Sequence, residues 1–189
     1  MSKQFWKGSV LLAPVPAALV SCGTVGKPNV LTVGWTGIVC THPPMTYISV
    51  RPERFSHDII KKSGEFVINL TTSAMIKKTD FCGVKSGRNT DKFKACGFHA
   101  LPSHEISAPI IEECPVSLEC KVTEIKPLGS HTMFLAEIVG IDVDEKYIDS
   151  KNKLNLQQCG LAAYSHGEYF ALGRKLGDFG FSVIKKKKK

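Results

Sequence analysis

The sequence predicts a mainly β protein, a β-barrel with short flanking helices. Short stretches rich in β-branched and aromatic residues, such as residues 45–51 and 65–70, recur between turns that contain glycine or proline. They do not alternate with long helical segments, as a parallel sheet would require. The Gly-x-Gly-x-x-Gly fingerprint is also missing from the sequence, so a doubly wound dinucleotide-binding fold is not expected.

The N-terminal third predicts a hairpin, a further strand and a helix. Residues 17–22 and 29–35 flank a turn that is rich in glycine and ends in proline. Residues 45–51 form the next strand, after a connecting loop. A helix then opens at Ser56, whose hydroxyl is expected to cap it, and ends at Gly64 in the left-handed conformation.

The later elements are mostly strands. Residues 65–70 form a strand and residues 72–79 a helix. Asp91 is expected near the cap of a short helical turn. Two long strands, at about 116–125 and 131–143, alternate well and are joined by a hairpin turn that contains Pro-Leu-Gly.

Length and charge indicate one globular domain. A chain of 189 residues is long enough to bury a proper core. We assign residues 1–184 to a single domain and residues 185–189, five lysines, to a disordered tail. The tail supplies five of the formal net charges of +8, so the rest of the chain carries only +3. A binding face for nucleic acid is therefore not expected.

The cysteines indicate a reducing compartment. All seven are scattered, without a Cys-x-x-Cys pair or a Cys/His spacing typical of zinc. They are expected to be free thiols in the cytoplasm, with no bound metal. Cys40 is the best-placed redox candidate, against the alternative of a plain core residue. The apolar stretch 10–20 contains two prolines, and no segment reaches the ~20 apolar residues of a membrane span.

Residues 51–56 contain the features of a phosphate site. Arg51 and Arg54 come just before the predicted helix, and Ser56 stands at its start. Guanidinium groups match phosphate in a bidentate way, and free N–H groups at a helix N-terminus favour an anion. The alternative is an ordinary helix cap beside two solvated arginines. Which arginine would face the phosphate stays open at this point.

The strand before this segment suits a flat ligand. Asn29 and Thr32 could bond the polar edge of a heterocycle, and Trp35 could cover its face. Thr36 follows where the chain is expected to open towards a ligand. Each of the four also has a structural alternative. Asn29 could close the hairpin turn, and Thr32 could serve as a simple β-former. Trp35 could be a core aromatic, and Thr36 could be a loop hydroxyl. A phosphate site and a planar heterocycle together describe flavin mononucleotide (FMN).

Three motifs in this spacing resemble one family. They are Lys-Pro-Asn-Val-Leu-Thr-Val-Gly-Trp at 27–35, Val-Arg-Pro-Glu-Arg-Phe-Ser at 50–56, and Gly-Ser-His at 129–131. Together they resemble the flavin reductase-like, FMN-binding split-barrel family, which includes flavoredoxin-like proteins. The resemblance covers about residues 8–180. It implies a split β-barrel of Greek-key type, non-covalent FMN and a homodimer with the cofactor close to its interface.

The resemblance adds three candidate site residues. It implies that Lys92 reaches the FMN, at its phosphate or at the oxygen edge of its ring. In related reductases, a histidine in the motif that matches residues 129–131 lines the flavin or nicotinamide site. The resemblance therefore implies a role for His131. Tyr164 would pack over the cofactor, with core packing as the alternative. Serine stands at position 130 where many reductases carry aspartate, which weakens the expectation of NAD(P)H binding.

The function expected from this resemblance is electron transfer through FMN. The flavin carries the chemistry, so no catalytic acid, base or nucleophile is assigned. The first hypothesis is an NAD(P)H-dependent flavin oxidoreductase, and the second is an FMN-bound electron carrier that serves a redox partner protein. A third, a basic nucleic-acid-binding protein, depends on the lysine tail alone.

Overall fold

The computed structural model describes residues 2–183 and confirms the mainly β class. The lysine run 185–189, expected to be a disordered tail, lies outside the described residues. The strands are β1 (Val15–Pro16), β2 (Ala18–Thr24), β3 (Lys27–Val33), β4 (Thr36–Thr41), β5 (Pro44–Val50), β6 (Glu65–Leu70), β7 (Ala100–Leu101), β8 (Ile110–Ile111), β9 (Val116–Pro127), β10 (Thr132–Val143), β11 (Ala162–Ser165) and β12 (Glu168–Ala171). The α-helices are α1 (Phe55–Ser63), α2 (Ile76–Val84) and α3 (Lys92–Cys96).

Seven strands form the main sheet, which curves into a split barrel. Their order is β3-β2-β6-β9-β10-β5-β4, and every pair is antiparallel. Neighbours such as β2 and β6 are far apart in the chain, so long connections cross between non-consecutive strands. A second sheet, β1-β11-β12, pairs residues 15–16 with the hairpin at 162–171. The short strands β7 and β8 pair with each other. Within residues 2–183, no helix is long and apolar enough to cross a membrane.

The strands β2 and β3 are buried on both faces, and this burial determines where the helices pack. Helix α1 packs on the inner side, and α2 and α3 pack on the other side. Val20 and Leu31 face the inner core with Phe66 and, from α1, Ile60. Their neighbours in sequence face the opposite way, because side chains alternate along a strand. There Leu19 and Val30 pack against the residues of α2 and α3 that form an outer core, namely Cys82, Phe93 and Cys96. The loop between α2 and α3 is thereby held over β3.

Several local predictions agree with the structure. Gly64 ends α1 in the left-handed conformation at φ 70°, and its N–H donates to the Ile60 carbonyl. Asp91 is the N-cap of α3, where its carboxylate accepts from the Lys94 N–H at 3.0 Å. The hairpin of β2 and β3 forms as expected, and β9 pairs with β10 along almost its whole length.

Two local predictions were wrong, and a third was right in type but not in its bounds. Ser56 does not cap α1: Arg54 is the N-cap residue with extended backbone, and Ser56 lies inside the helix as its second residue. The predicted loop after Trp35 is strand β4, which pairs with β5, so Thr36 begins a strand. The helix predicted at 72–79 does form, with Ser73–Met75 as a 3-10 turn that runs directly into α2, which continues to Val84.

A buried asparagine ties the centre of the sheet together. Asn69 is completely buried, and its amide donates to the Leu19 carbonyl at 3.0 Å and to the Ser21 hydroxyl at 2.9 Å. Its carbonyl oxygen accepts from the Ile111 N–H at 3.0 Å and the Ser117 hydroxyl at 2.8 Å. One side chain thus joins β2, β6, β8 and β9, and its amide group is satisfied at both ends.

We expect Asn69→Ala to lower the free energy of unfolding by about 3 kcal/mol. The change leaves a buried N–H and a buried hydroxyl without partners, each costing roughly 1–3 kcal/mol. Urea unfolding measured by circular dichroism gives the difference. Asn89→Ala, at an exposed position, serves as the control and should stay within about 0.5 kcal/mol of the parent. Equal losses in the two variants would contradict the role given to Asn69.

Candidate functional site

A first cleft of about 340 Å³ opens beside the end of β3. It lies between the ends of β3 and β5, the last turn of α2, the start of β10 and the hairpin of β11 and β12. Six residues expected at the site from the sequence line it: Thr32, Trp35, Arg51, Arg54, His131 and Tyr164. The fold thus brings together side chains that lie more than 130 positions apart in the sequence.

One wall of the first cleft is aromatic. The rings of Trp35 and His131 lie 4.5 Å apart between centroids, at 37° to each other, and Trp35 keeps 42% of its surface exposed. Burial, followed by the positive charge of Arg51, lowers the pKa of His131, so the imidazole is favoured in its neutral form. The Ser130 hydroxyl lies 2.9 Å from His131 Nδ1. This wall offers a flat and largely uncharged surface to a planar ligand.

Another part of the lining contains residues that the sequence analysis did not single out, namely Asp80 and Tyr169. The ring of Tyr164 packs edge-on against Tyr169, with centroids 5.2 Å apart. Tyr169 donates its hydroxyl to Asp80 of α2 at 3.0 Å. Burial, and then this contact, raise the pKa of Tyr169 to about 12, so the phenol keeps its proton. Asp80 and Tyr169 are 89 positions apart, and no local pattern announces their pairing.

A second cleft of about 290 Å³ adjoins the first and shares Leu31 and Arg54 with it. It lies at the first turn of α1, beneath the loop that connects α2 to α3. Ser56 and Lys92, both expected from the sequence analysis, line it. The connecting loop adds three residues that the sequence did not single out, which are Lys85, Ser86 and Gly87.

Lys92 is a buried cation in the second cleft. Only 4% of it is exposed, and its Nζ donates to the carbonyls of Cys82 at 3.1 Å and Lys85 at 3.2 Å. Burial lowers its pKa, and among residues 2–183 no carboxylate forms an ion pair with it, since Glu53, which also lines this cleft, contacts Arg51. A buried ammonium group without a counter-ion is unfavourable. An anion in the cleft would supply that counter-ion.

The arginines differ in their position. Arg54 donates to the Gly83 carbonyl at 2.9 Å and borders both clefts. Arg51 borders the first cleft and donates to Glu53 at 3.3 Å, with 54% of its side chain exposed. Arg54 is therefore the arginine that faces the same cleft as Lys92. Carbonyls at the C-terminal end of α2 hold both cations, where the helix dipole favours positive charge.

Asn29 lies beneath the second cleft. It is 7% exposed, and its amide donates to the Ser56 hydroxyl at 2.6 Å. The loop residue Gly87 lies directly above it, since a Cβ built there would come within 2.1 Å of Asn29 Oδ1 and 2.8 Å of Phe55. Only glycine lets the loop come this close to β3. Asn29 therefore acts on the cleft through Ser56, away from the aromatic wall of the first cleft.

The two candidate threonines already donate their hydroxyl protons. Thr32 lines the first cleft and donates to the Thr79 carbonyl of α2, which leaves its oxygen free only to accept a further bond. Thr36 donates to the Tyr47 carbonyl at 2.5 Å and lies in β4, outside the lining of both clefts. Cys40 also lies in β4, half-buried at the edge of the main sheet.

One group of metal-binding residue types comes together away from the clefts. The ligand atoms of His99, Glu112 and Glu113 all lie within 4.8 Å of one another at the surface. His99 Nδ1 lies 2.6 Å from Glu113 Oε1, and the backbone N–H of His99 also donates to that carboxylate. His99 Nδ1 and Glu113 already contact each other, and exposed groups of this kind are common without an ion, so we assign no metal here.

Comparisons with known proteins agree with this architecture. The sequence model described as "Flavin reductase like domain" matches residues 11–173. An uncharacterised protein of Pyrococcus abyssi is 30% identical over 170 residues, 90% of this chain and 97% of its own length.

Solved structures show the same fold. The flavoredoxin of Desulfovibrio vulgaris (Miyazaki F) is 27% identical with a TM-score of 0.89, over 97% of this chain and 100% of its own. The FMN-binding protein of Thermus thermophilus, solved with bound 1-cyclohex-2-enone, is 22% identical with a TM-score of 0.78, over 94% and 97% of the two chains. At that identity the likeness is one of fold alone. The chain belongs to the family defined by the flavin reductase like domain, and its fold is that of the flavoredoxin-type split barrel.

Proposed function

We propose that this chain binds FMN without a covalent bond and transfers electrons from NAD(P)H or from a redox partner. The observation that carries the proposal is the pair of joined clefts, one cationic and one aromatic, which share Leu31 and Arg54. FMN has the same two ends, a phosphate and a flat ring. The likeness to a flavoredoxin over nearly the whole of both chains is consistent with a flavin as the ligand.

The phosphate would lie in the second cleft. Lys92 and Arg54 supply two positive charges there, and the Ser56 hydroxyl and the free N–H groups of the first turn of α1 supply hydrogen bonds. The buried Lys92 without a carboxylate partner gives this assignment a physical test, because an anion would satisfy it. Asn29 holds Ser56 in place, and Gly87 brings the loop down over the cleft.

The ring would lie in the first cleft, between the Trp35–His131 wall and Tyr164. Bound FMN would supply the electron-transfer chemistry through its ring. The residues of the chain position the ring, and the aromatic side chains shield it from water. The Thr32 oxygen can accept a hydrogen bond from a ring N–H. No catalytic acid or base is assigned, in agreement with the cofactor carrying the reaction.

The second candidate function is an FMN-bound electron carrier that does not itself use NAD(P)H. Ser130 favours it, because its hydroxyl lies next to His131 Nδ1, where many related reductases carry a carboxylate. The likeness to a flavoredoxin over nearly the whole of both chains is consistent with either function. The two functions share the cofactor and differ in the electron donor.

A second copy of the chain is the proposed partner. Large apolar side chains near both chain ends are exposed: Phe5, Trp6, Leu12, Leu176 and Phe179. Residues 10–12 also lie beside Trp35 and Tyr164 at the mouth of the first cleft. A monomer rarely leaves so much apolar surface in water. We also propose a cytoplasmic location, where the seven free cysteines would stay reduced.

The purified chain, loaded with FMN, should show the visible absorption bands of a flavin. Under anaerobic conditions, bleaching within seconds of adding NADH or NADPH would establish the reductase. Bands that persist with both nucleotides but bleach with a reduced ferredoxin-type protein would establish the carrier. A chain that neither carries nor takes up FMN, measured by quenching of flavin fluorescence, would refute both.

Lys92→Met should weaken FMN binding by about 10- to 100-fold, because one hydrogen-bonded charge is worth roughly 1.5–3 kcal/mol. Riboflavin, which has no phosphate, should bind the parent and the variant alike. Affinity of the parent for FMN should fall at alkaline pH as Lys92, whose pKa burial lowers, loses its proton. The variant should lack this fall. Fluorescence titration measures each dissociation constant.

The matched control is Lys94→Met, an exposed lysine in the same helix. The FMN affinity of this variant should stay within about twofold of that of the parent, a difference of less than about 0.5 kcal/mol in binding free energy. Removal of the buried charge should also make the FMN-free Lys92→Met protein at least as stable as the parent. An equal loss of FMN and riboflavin affinity would show that Lys92 shapes the cleft without binding the phosphate.

Light scattering after size exclusion should give twice the chain mass of 20.7 kDa. Replacing Phe5 and Trp6 together by serine should shift the mass towards that of the monomer, since both would lose contacts with the second copy. Leu128→Ser, at an exposed hairpin turn, provides the comparison and should remain a dimer. A monomeric parent at micromolar concentration would exclude the proposed dimer.

A further inference from the structure

Two buried thiols contact each other next to the second cleft. The sulfur atoms of Cys82, in the last turn of α2, and Cys96, at the end of α3, lie 3.8 Å apart. Both residues are buried, at 1% and 7% exposure. All seven cysteines lie within residues 2–183, and these two are the pair that meets through sulfur.

The segment between these cysteines forms a wall of the second cleft. Residues 83–95 contain the lining residues Lys85, Ser86, Gly87 and Lys92. Cys82 lines the cleft itself, and its carbonyl accepts one of the two hydrogen bonds from Lys92 Nζ. A covalent bond between the two sulfurs would therefore close a loop that contains Lys92, one of the residues proposed to hold the phosphate.

We propose that Cys82 and Cys96 are an oxidisable dithiol, which hydrogen peroxide converts to a disulfide that tightens the second cleft around a phosphate. The formation of the disulfide stands on its own. Its effect on FMN rests on the proposed function. Hydrogen peroxide is the oxidant class, because it is small enough to reach a thiol that lines the cleft but is only 1% exposed.

The reaction takes place in two steps. One thiol attacks the peroxide, the O–O bond breaks, and a sulfenic acid and one water form. The second thiol then attacks the sulfenic sulfur, the S–O bond breaks, and the S–S bond forms with release of a second water. Two thiols lose two electrons and two protons, and one peroxide becomes two waters. The sulfurs must approach from 3.8 Å to about 2.05 Å, so both side chains or the backbone that carries them must move.

The surroundings of the pair set its rate. Burial, followed by the neighbouring Cys96, raises the pKa of Cys82 to about 12, so the thiolate is scarce at neutral pH. Oxidation should therefore be slow, over hours, and confined to strong or sustained exposure to peroxide. The same burial keeps bulky thiol reagents away, which distinguishes this pair from the more accessible Cys40.

The disulfide would act by reducing the freedom of the loop. A cross-link restricts the unbound conformations of the residues it encloses, and less ordering is then lost when a ligand binds. Lys92 and Gly87 would stay near their bound positions. We expect FMN to bind about 3- to 10-fold more tightly to the oxidised chain, while riboflavin should change less, because it has no phosphate to reach the second cleft.

The test begins with the flavin-free chain treated with hydrogen peroxide. The free thiols are alkylated after denaturation, and digestion with mass spectrometry should find one peptide pair joined through Cys82 and Cys96, about 2 Da below the sum of the reduced peptides. Dithiothreitol should reverse the link. A chain whose thiols are both alkylated, or oxidised separately to sulfinic acids, would overturn the proposal.

Binding measurements complete the test. Cys96→Ser should abolish both the link and the gain in FMN affinity, while Cys120→Ser, a buried cysteine of β9, should leave both unchanged. A disulfide that forms without a gain in FMN affinity would overturn the regulatory role. A disulfide in a chain that binds no FMN at all would support the dithiol and refute the proposed function. The peptide result on the parent chain does not depend on any variant folding.

Discussion

The site depends on the carbonyl groups at the C-terminal end of α2. They hold Lys92 through Cys82 and Lys85, and Arg54 through Gly83, so one helix end positions both cations. The helix in turn is fixed on β3, where a Cβ at Gly83 would come within 3.2 Å of the Thr32 side chain. Any shift of α2 along the strand would move both charges at once. The geometry of the second cleft is therefore a consequence of helix-on-sheet packing.

The joined clefts have different chemistry because different parts of the fold build them. The cationic cleft is made by a helix end, a helix start and a loop, whose backbone groups suit charge. The aromatic cleft is made where β3 ends, β10 begins and the second sheet approaches, so it is lined by side chains such as Trp35 and Tyr164. A ligand with one charged and one flat end can enter in only one orientation. That asymmetry positions the ligand without any catalytic side chain.

The sequence could predict what is local. The hairpins, the left-handed Gly64 and the Asp91 cap follow from short patterns, and the resemblance pointed to Lys92 and His131. The contact of Tyr169 with Asp80 and the approach of Gly87 to Asn29 depend on elements that meet only after folding. Capping by Ser56 failed for the same reason, since its hydroxyl bonds to Asn29 on a distant strand. The strand β4 was not predicted because its short β-branched segment contains Gly37 and is followed by two prolines, which indicate a turn.

A carboxylate beside Lys92 would stabilise the unliganded chain better than the two carbonyls do. It would also cancel the positive charge of Lys92 and repel a phosphate, so the cleft would no longer favour an anion. Carbonyl dipoles satisfy the N–H bonds of the ammonium group but leave its net charge in place. Burial then lowers the pKa of Lys92, and an arriving anion would reverse that change. On the proposed function, the empty state is less stable than it could be, and the binding of a phosphate would recover that stability.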